Sequence, residues 1–333
     1  LVGTASSIFI SSDQQYVFAA IPAQHVVEVI DRGLGASYNL NLPNAYRIST
    51  NPAGSIALAF VQNSNQVYSV LRLQALQPAP SNAEDCEPQN LPVYCLVPVN
   101  GTFDRPTKAV FSPDGTTAYV LNCGPECGGN QSSVSYLPTA GILIQSGSPV
   151  PPGSPTQVSA TVPIPGGITD ALPHGTTLYL AGQQLQSDGL FAGMLTVLNT
   201  ASQSITGTYP ISDGTHSRML LGDDNTLWIG SSLCSEGERF HQNQAGANVQ
   251  FGCLTMFNIA TNSVTRIESY KGDATGIAAI TGLSKVYTTE GGQIYIYATT
   301  DGSTLDNSNV TVVGTASDVA YMDAPTDDDN TVY

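Results

Sequence analysis

A short strand–turn–strand unit recurs along this chain, and no other feature restricts its possible folds as strongly. The clearest copy is Ala109–Val120, in which an alternating apolar strand is followed by the turn Ser112–Gly115 and a second strand that ends in Tyr-Val. Weaker copies begin near the following residues: Thr4, Tyr46, Ile168, Thr215, Ala274 and Thr315. A period of roughly 40 to 60 residues without helical spacing predicts an array of small antiparallel sheets.

Each repeat divides into four apolar runs with period-two spacing, separated by turns rich in Asp-Gly, Asn and Pro. The last repeat is incomplete: Thr315–Tyr321 reads as its first strand and Asn330–Tyr333 as its second. The N-terminal Leu1–Ser6 matches the pattern of Val312–Ser317, so Leu1-Val2 is expected to supply the outer strand of the last blade. Such closure protects edge strands from non-native pairing.

We therefore predict an all-β fold, a seven-bladed β-propeller of four-stranded antiparallel blades whose last blade is closed by both termini. A six-bladed propeller is the alternative. Residues 1–333 are expected to form a single propeller domain. Enlarged loops are predicted where the repeats are longest: residues 73–95, 123–133, 138–158, 181–193 and 231–253.

The charge balance excludes some classes of partner. The chain has 26 acidic and 10 basic residues, a net charge of −16, and no cluster of Lys and Arg. Phosphate recognition needs clustered cations, so we expect neither nucleic acid nor an anionic membrane as a partner. No apolar run approaches the length of a membrane-spanning helix, so no membrane span is expected.

Six cysteines occur as three local pairs, and every pair falls in an enlarged loop: Cys86 with Cys95, Cys123 with Cys127, and Cys234 with Cys253. An even count in such a chain favours disulfides and an oxidising compartment, so the predicted location is extracellular, periplasmic or at the cell surface. A local crosslink also offsets part of the entropy lost when a long loop is ordered. Zinc binding is the alternative, although no second Cys pair or His has the matching spacing.

The loops between the second and third strands of the third, fourth and fifth repeats are all enlarged and should share one face of a propeller. Loops on a rigid scaffold are where binding usually occurs. The segment richest in chemistry lies in the last of these loops, and its candidate binding residues are Glu236, Glu238, Arg239, Phe240 and His241. The alternative interpretation is a solvated loop with local ion pairs.

Two further residue groups are candidates for catalysis or metal binding. If the protein is an enzyme, the catalytic residues would be His174, His216, Arg218 and Glu236, although single histidines in turns more often serve as hydrogen-bonding groups. An acidic turn offers oxygen ligands for Ca²⁺ at Asp323, Asp327, Asp328 and Asp329. Its spacing is not that of an EF-hand, so a solvated turn is favoured, and no cofactor is expected.

The repeat residues also resemble a known family. Phe111–Gly115 followed by Tyr119–Asn122 resembles the YVTN repeat of YncE-like seven-bladed β-propellers. Val197–Ala201 and Phe257–Val264 are similar to the stretch in that family that links the third and fourth strands of a blade. The resemblance implies the fold more than an activity, because such propellers include surface proteins, binding scaffolds and a few enzymes.

These observations predict a secreted or cell-surface propeller that binds a protein or glycan through its enlarged loops, without catalysis. The first alternative is a lactonase-like hydrolase or lyase with a His/Arg/Glu site at the channel mouth. The second is a structural subunit that self-associates in an extracellular lattice or filament, where a charged fraction of only 11% would permit close packing.

Overall fold

The computed structural model describes residues 1–51, 53–142, 156–247, 251–267 and 271–320, with residues 306–309 described by their backbone alone. The described residues form six antiparallel sheets that follow one another along the chain. Five sheets have four strands and one has five. None of the described helical segments has the length and the apolar composition needed to cross a bilayer.

The first three sheets are meanders, with one short hairpin added to the second. Sheet 1 contains β1 (Ser7–Ile10), β2 (Tyr16–Ile21), β3 (Val26–Asp31) and β4 (Ala36–Asn41). Sheet 2 contains β5 (Ala45–Thr50), β6 (Ala57–Val61), β7 (Val67–Arg72), β8 (Asp85–Glu87) and β9 (Tyr94–Pro98), with β9 between β7 and β8. Sheet 3 contains β10 (Pro106–Phe111), β11 (Thr117–Asn122), β12 (Ser133–Pro138) and β13 (Ala160–Pro163).

The last three sheets repeat the four-stranded meander. Sheet 4 contains β14 (Asp170–His174), β15 (Thr177–Leu185), β16 (Phe191–Asn199) and β17 (Ser204–Pro210). Sheet 5 contains β18 (Thr215–Gly222), β19 (Thr226–Ser232), β20 (Leu254–Asn258) and β21 (Ser263–Ile267). Sheet 6 contains β22 (Ala274–Ile280), β23 (Lys285–Glu290), β24 (Gln293–Ala298) and β25 (Thr304–Val310). The described helical segments are 3-10 turns at Pro22–Gln24, Gly124–Cys127 and Thr139–Gly141, and the helix α1 (Glu238–Gln244).

A Ser-x-Asp turn joins the first two strands of a hairpin in the first and the third repeats. In the third repeat, Ser112 Oγ donates to Asp114 Oδ1 at 2.6 Å, and the same oxygen accepts the Thr116 N–H at 3.1 Å. Gly115 follows with φ +70°, a conformation that glycine adopts without steric cost. The first repeat builds the same contact between Ser11 and Asp13 at 2.6 Å. Local side-chain bonds of this kind therefore set the hairpin register.

The prediction of seven blades is wrong, because six sheets are found and the expected parts of a seventh form no strand among the described residues. The Val2 N–H donates to Glu28 Oε2 at 2.9 Å instead of pairing with another strand. Near the other terminus, the Val312 N–H donates to Gln293 Oε1 at 3.0 Å and the Ala316 N–H to Gly292 O at 2.9 Å. The Val312 N–H is therefore bonded to a side chain and the Ala316 N–H to the carbonyl of a turn, and residues 311–320 form no strand. Tyr321 and residues 330–333 lie outside the described residues.

The chain divides into two compact units. The first contains Leu1–Gln184 and Thr196–Thr208, and the second contains Leu185–Leu195 and Tyr209–Tyr333. Within the first unit, successive sheets pack face to face through buried apolar side chains, for example Phe18, Val29, Ala59 and Leu96 between sheets 1 and 2. Within the second unit, Trp228, Met256, Val286 and Tyr297 form the core between sheets 5 and 6.

A bulge recurs near the start of the first strand in sheets 2, 3, 5 and 6, where the pairing register shifts by one residue. In the first unit, residues at this level also bond from one sheet to the next. Ser6 Oγ donates to Tyr46 O at 2.6 Å, and Tyr46 Oη donates to Thr107 O at 3.0 Å. Thr107 Oγ1 in turn donates to Ile168 O at 3.4 Å. A line of hydrogen bonds therefore connects the starts of four successive repeats.

Candidate binding surface on two joined loops

All three predicted disulfides are formed, which confirms the expectation from the cysteine spacing. Cys86–Cys95 joins β8 to β9, and Cys123–Cys127 closes the 3-10 turn after β11. Cys234–Cys253 ties the two ends of the long connection between β19 and β20. Parts of the enlarged loops 138–158 and 231–253, residues 143–155 and 248–250, lie outside the described residues.

The hairpin that joins β15 to β16 forms the first part of the surface. Its turn is closed by the Gln186 N–H, which donates to Leu190 O at 2.8 Å. Asp188 lies at the tip, where its Oδ1 accepts the Leu190 N–H at 3.0 Å. That backbone N–H, and then the guanidinium of Arg239, hold the pKa of Asp188 below its usual value. The tip therefore presents a fixed anion.

The second part is the segment after Cys234, which contains the helix α1. We expected a loop here, and the structure adds two helical turns. Glu238 lies in the first turn of α1 and His241 in the last, the arrangement that the helix dipole favours. The ring of Phe240 packs against that of Phe251 at a centroid distance of 5.2 Å. An aromatic contact and a disulfide therefore hold a short helix that has no buried residue.

Arg239 joins the two parts. Its Nη2 donates to Asp188 Oδ2 at 2.9 Å, and its Nε donates to the carbonyl of Phe191 at 3.0 Å. The Arg239 side chain is only 14% exposed, whereas that of Asp188 is 50% exposed, so the guanidinium is inserted between the loops rather than extended into solvent. We call residues 185–191 and 233–247 together the joined-loop surface.

The joined-loop surface combines exposed apolar and acidic side chains. Leu185 is 57% exposed, Phe191 42% and Leu233 49%. Glu236 and Glu238 are exposed on the same segment as Leu233. Because Arg239 and Asp188 neutralise each other, the remaining charge of the surface comes from these two glutamates. Exposed large apolar residues on two loops that are held together are typical of protein interaction sites.

A buried carboxylate, that of Asp213, contacts the strand β16 in the same unit. Asp213 Oδ1 accepts the Gly193 N–H at 2.8 Å, and the Asp213 N–H donates to Gly252 O at 3.1 Å. A Cβ on Gly193 would come within 1.9 Å of Ser212 O, so this close approach of two backbones requires glycine. Burial raises the pKa of Asp213 against the opposing effects of the Gly193 N–H and Arg239. Asp213 thereby connects the hairpin to the start of sheet 5.

The predicted catalytic residues have separate surroundings. His174 is exposed at the end of β14 in the first unit. In the second unit His216 is buried in β18 with its Nε2 at 2.7 Å from Ser212 O, and Arg218 pairs with Asp318 at 3.1 Å. Glu236 is exposed on the joined-loop surface. The hydrolase or lyase activity inferred from these residues stays a prediction.

Two sets of residues are candidates for metal binding. Asp323, Asp327, Asp328 and Asp329 lie outside the described residues, so the predicted Ca²⁺ turn stays untested. Among the described residues, Cys234, Cys253 and Asp273 bring potential ligand atoms within 4.8 Å of one another. The two sulfurs are joined in a disulfide, and metal binding by cysteine needs thiolates. This cluster is therefore structural while the disulfide is intact.

The sequence alone identified Arg239 but neither of its acidic neighbours. Asp188 and Asp213 are isolated acidic residues in separate repeats, 51 and 26 positions before Arg239. The available signal was that the loop with Asp188 and the loop with Arg239 follow the same strand in adjacent repeats. That signal indicates proximity, but it cannot show which pair of side chains meets.

Comparison with known proteins supports the fold. No protein-family model matches the chain, and no curated protein matches it. Kuenenia stuttgartiensis hydrazine synthase is similar over 88% of this chain and 76% of that chain, with a TM-score of 0.56 and 14% identity. The WD40 repeats of RRP9 are similar over 96% and 84%, with a TM-score of 0.56 and 10% identity.

A chain in a structure of the mitotic checkpoint complex is similar over 94% of this chain and 82% of that chain, with a TM-score of 0.56 and 10% identity. At such low identity these likenesses show the fold alone. Together with the six successive sheets, they show a propeller-type fold with six blades.

Proposed function

We propose that this protein is a non-catalytic binding scaffold and that the joined-loop surface binds a protein partner. The observation that carries the proposal is the pair of bonds from Arg239 to Asp188 and to the Phe191 carbonyl. They hold two enlarged loops together, so the apolar residues on them are presented without the entropy cost of ordering the loops on binding.

The chemistry of the surface defines the partner. Leu185, Phe191 and Leu233 require an apolar counterpart, and Glu236 with Glu238 favours nearby Lys or Arg. The net charge of −16 adds a long-range attraction for a basic partner and opposes association with a second copy of this chain. We therefore favour a basic protein with exposed apolar residues over a glycan or a self-assembled lattice.

Two further properties belong to the same proposal. Three disulfides support a secreted or cell-surface location, because such bonds persist in oxidising compartments. The Phe111–Gly115 and Tyr119–Asn122 motifs support membership of the YVTN-repeat propellers. Similar folds in WD40 repeats and in the mitotic checkpoint complex fit the use of this architecture in a protein assembly.

The test uses the oxidised protein as bait for extracellular extracts of the source organism. A triple variant, Leu185→Ser, Phe191→Ser and Leu233→Ser, removes the apolar side chains and leaves Arg239 in place. Leu283→Ser is the matched control, because Leu283 is equally exposed, at 57%, in the turn between β22 and β23. Each captured protein is then purified, and its dissociation constant is measured with all three baits.

We expect a partner whose affinity falls by at least about tenfold in the triple variant, or about 1.4 kcal/mol, and is unchanged in the control. Partners that bind the triple variant and the wild type equally well would refute the proposed surface. A glycan ligand lost in the triple variant would keep the surface and change the class of partner.

A further inference from the structure

The first unit contains an open cavity of about 740 Å³ between the first strands of its sheets. The strands β5 and β10 supply part of the wall, and the turn Ser112–Gly115 forms another part. The larger apolar residues of the lining are Phe9, Ile48, Val110, Phe111, Pro113 and Pro173. Its size and its mostly apolar wall are those of a small-molecule site.

Most polar groups of the wall are already used within the protein. Ser49 Oγ accepts the Ala109 N–H at 3.0 Å, and Asn51 Oδ1 accepts the Ile56 N–H at 3.0 Å. Thr50 differs, because its Oγ1 is buried and has no hydrogen-bond partner within the described part of the chain. A buried hydroxyl without a partner is costly, and a ligand or a water molecule would satisfy it.

The charges of the wall leave one anion uncompensated. The Lys108 ammonium forms an ion pair with the buried carboxylate of Asp170, so these two groups cancel. Asp114 is the other charged residue of the lining, and its Oδ1 accepts hydrogen bonds from Ser112 Oγ and from the N–H and Oγ1 of Thr116. These bonds hold the pKa of Asp114 below its usual value, so the carboxylate is ionised at neutral pH. The cavity therefore carries net negative charge.

We propose that this cavity binds a small organic cation, an ammonium group on a compact apolar body. The apolar body would contact Ile48, Val110 and Phe111, and the ammonium would lie beside Asp114. Thr50 Oγ1 would accept a hydrogen bond from a donor group of the ligand. This site belongs to the first unit, so it is independent of the joined-loop surface.

The test is a nuclear magnetic resonance titration of the whole disulfide-bonded chain with three probes of one shape. Phenethylamine carries the cation, phenethyl alcohol is neutral, and phenylacetate is an anion. We expect saturable one-to-one binding of phenethylamine with a dissociation constant near about 1 mM, typical of so small a ligand. The alcohol should bind about fivefold more weakly, the ratio that one partly exposed ion pair provides, and phenylacetate should not bind.

Two variants locate the site. Asp114→Asn keeps an oxygen acceptor for the turn and should abolish the preference for the amine over the alcohol. Ala53→Trp places a large side chain at an exposed position of the cavity wall and should weaken all binding. Thermal unfolding confirms that each variant is folded.

Asp13→Asn is the matched control, because Asp13 occupies the same Ser-x-Asp turn in the first repeat and is not part of the lining. The preference for the amine should survive this change. An absence of saturable amine binding, equal affinities for amine and alcohol, or an unchanged preference in Asp114→Asn would each overturn the proposal.

Discussion

The carboxylate of Glu126 accepts two hydrogen bonds from Gln183, one from the backbone N–H to Oε2 at 3.1 Å and one from the side-chain amide to Oε1 at 3.3 Å. These bonds connect the turn closed by Cys123–Cys127 to the strand β15 of the next sheet. A Cβ on Gly167 would lie only 1.9 Å from Oε2, so the glycine allows the carboxylate to be covered by backbone. Burial outweighs the two bonds and raises the pKa of Glu126 to about 7.

This contact predicts a pH-dependent stability. The folded protein holds the Glu126 proton more tightly than the unfolded chain does, where the pKa of this group is 4.5. The stability that this proton provides is therefore complete below pH 4.5 and is lost as pH rises to about 7. Glu126→Gln is neutral at every pH. The free energy of unfolding of this variant, relative to that of the wild type, should rise by up to about 3 kcal/mol between pH 4.5 and about 8. Denaturant titrations at several pH values measure this difference. A difference that does not change with pH would contradict the prediction.

Replacement of Arg239 should release the joined loops with little change in global stability. In Arg239→Ala, amide hydrogen exchange should accelerate in residues 185–191 and 233–247, because the bonds to Asp188 and Phe191 are lost. The melting temperature should hardly move, since an ion pair to a half-exposed carboxylate contributes about 0–1 kcal/mol. Arg218→Ala, which breaks the exposed pair with Asp318, is the control and should leave exchange in these loops unchanged.

The Cys234–Cys253 disulfide should stabilise the protein more than Cys123–Cys127 does. The first pair is separated by 19 residues and the second by 4, and the entropy removed from the unfolded chain grows with loop length. We expect Cys234→Ala with Cys253→Ala to lower the free energy of unfolding by about 3 kcal/mol, and the matching change at Cys123 and Cys127 by about 2 kcal/mol. Thiol titration of the denatured, unreduced wild type should detect no free thiol.

Loss of Lys108 should be strongly destabilising. In Lys108→Met the buried carboxylate of Asp170 loses its cation, and an uncompensated buried charge costs about 3 kcal/mol or more. Addition of Asp170→Leu to the same variant should recover most of that loss, because no charge is then left buried. Chemical unfolding measures the stability of the single and of the double variant. A double variant that is more stable than the single one would show that the ion pair compensates the cost of burying Asp170. Equal stability of the two variants would contradict this prediction.

The strands could be predicted from the sequence because their signals are local. The expected strands Ala118–Leu121 and Lys285–Thr288 lie within β11 and β23, since period-two apolar spacing and the Ser-x-Asp turns act over a few residues. The number of blades could not be predicted in this way. Residues 315–320 have a suitable pattern, but a pattern shows what a segment is able to pair with, not whether a partner strand is present.

The contacts of the joined-loop surface were beyond prediction for a related reason. The sequence indicated that Arg239 lies in an enlarged loop, and the bond to Asp188 depends on how two such loops are oriented by their strands. The helical turns of α1 were missed because seven residues are too few to show a helical period. Disulfide pairing was predictable because each Cys pair is local in sequence.

The hydrogen bonds that run from Ser6 through Tyr46 and Thr107 to Ile168 lie at the starts of repeats, and none of these residues belongs to an enlarged loop. Loop length and loop sequence can therefore diverge while the spacing between successive sheets of the first unit is preserved. In evolution or in engineering, loops of this unit can therefore be exchanged without a change in the hydrogen bonds that connect its sheets.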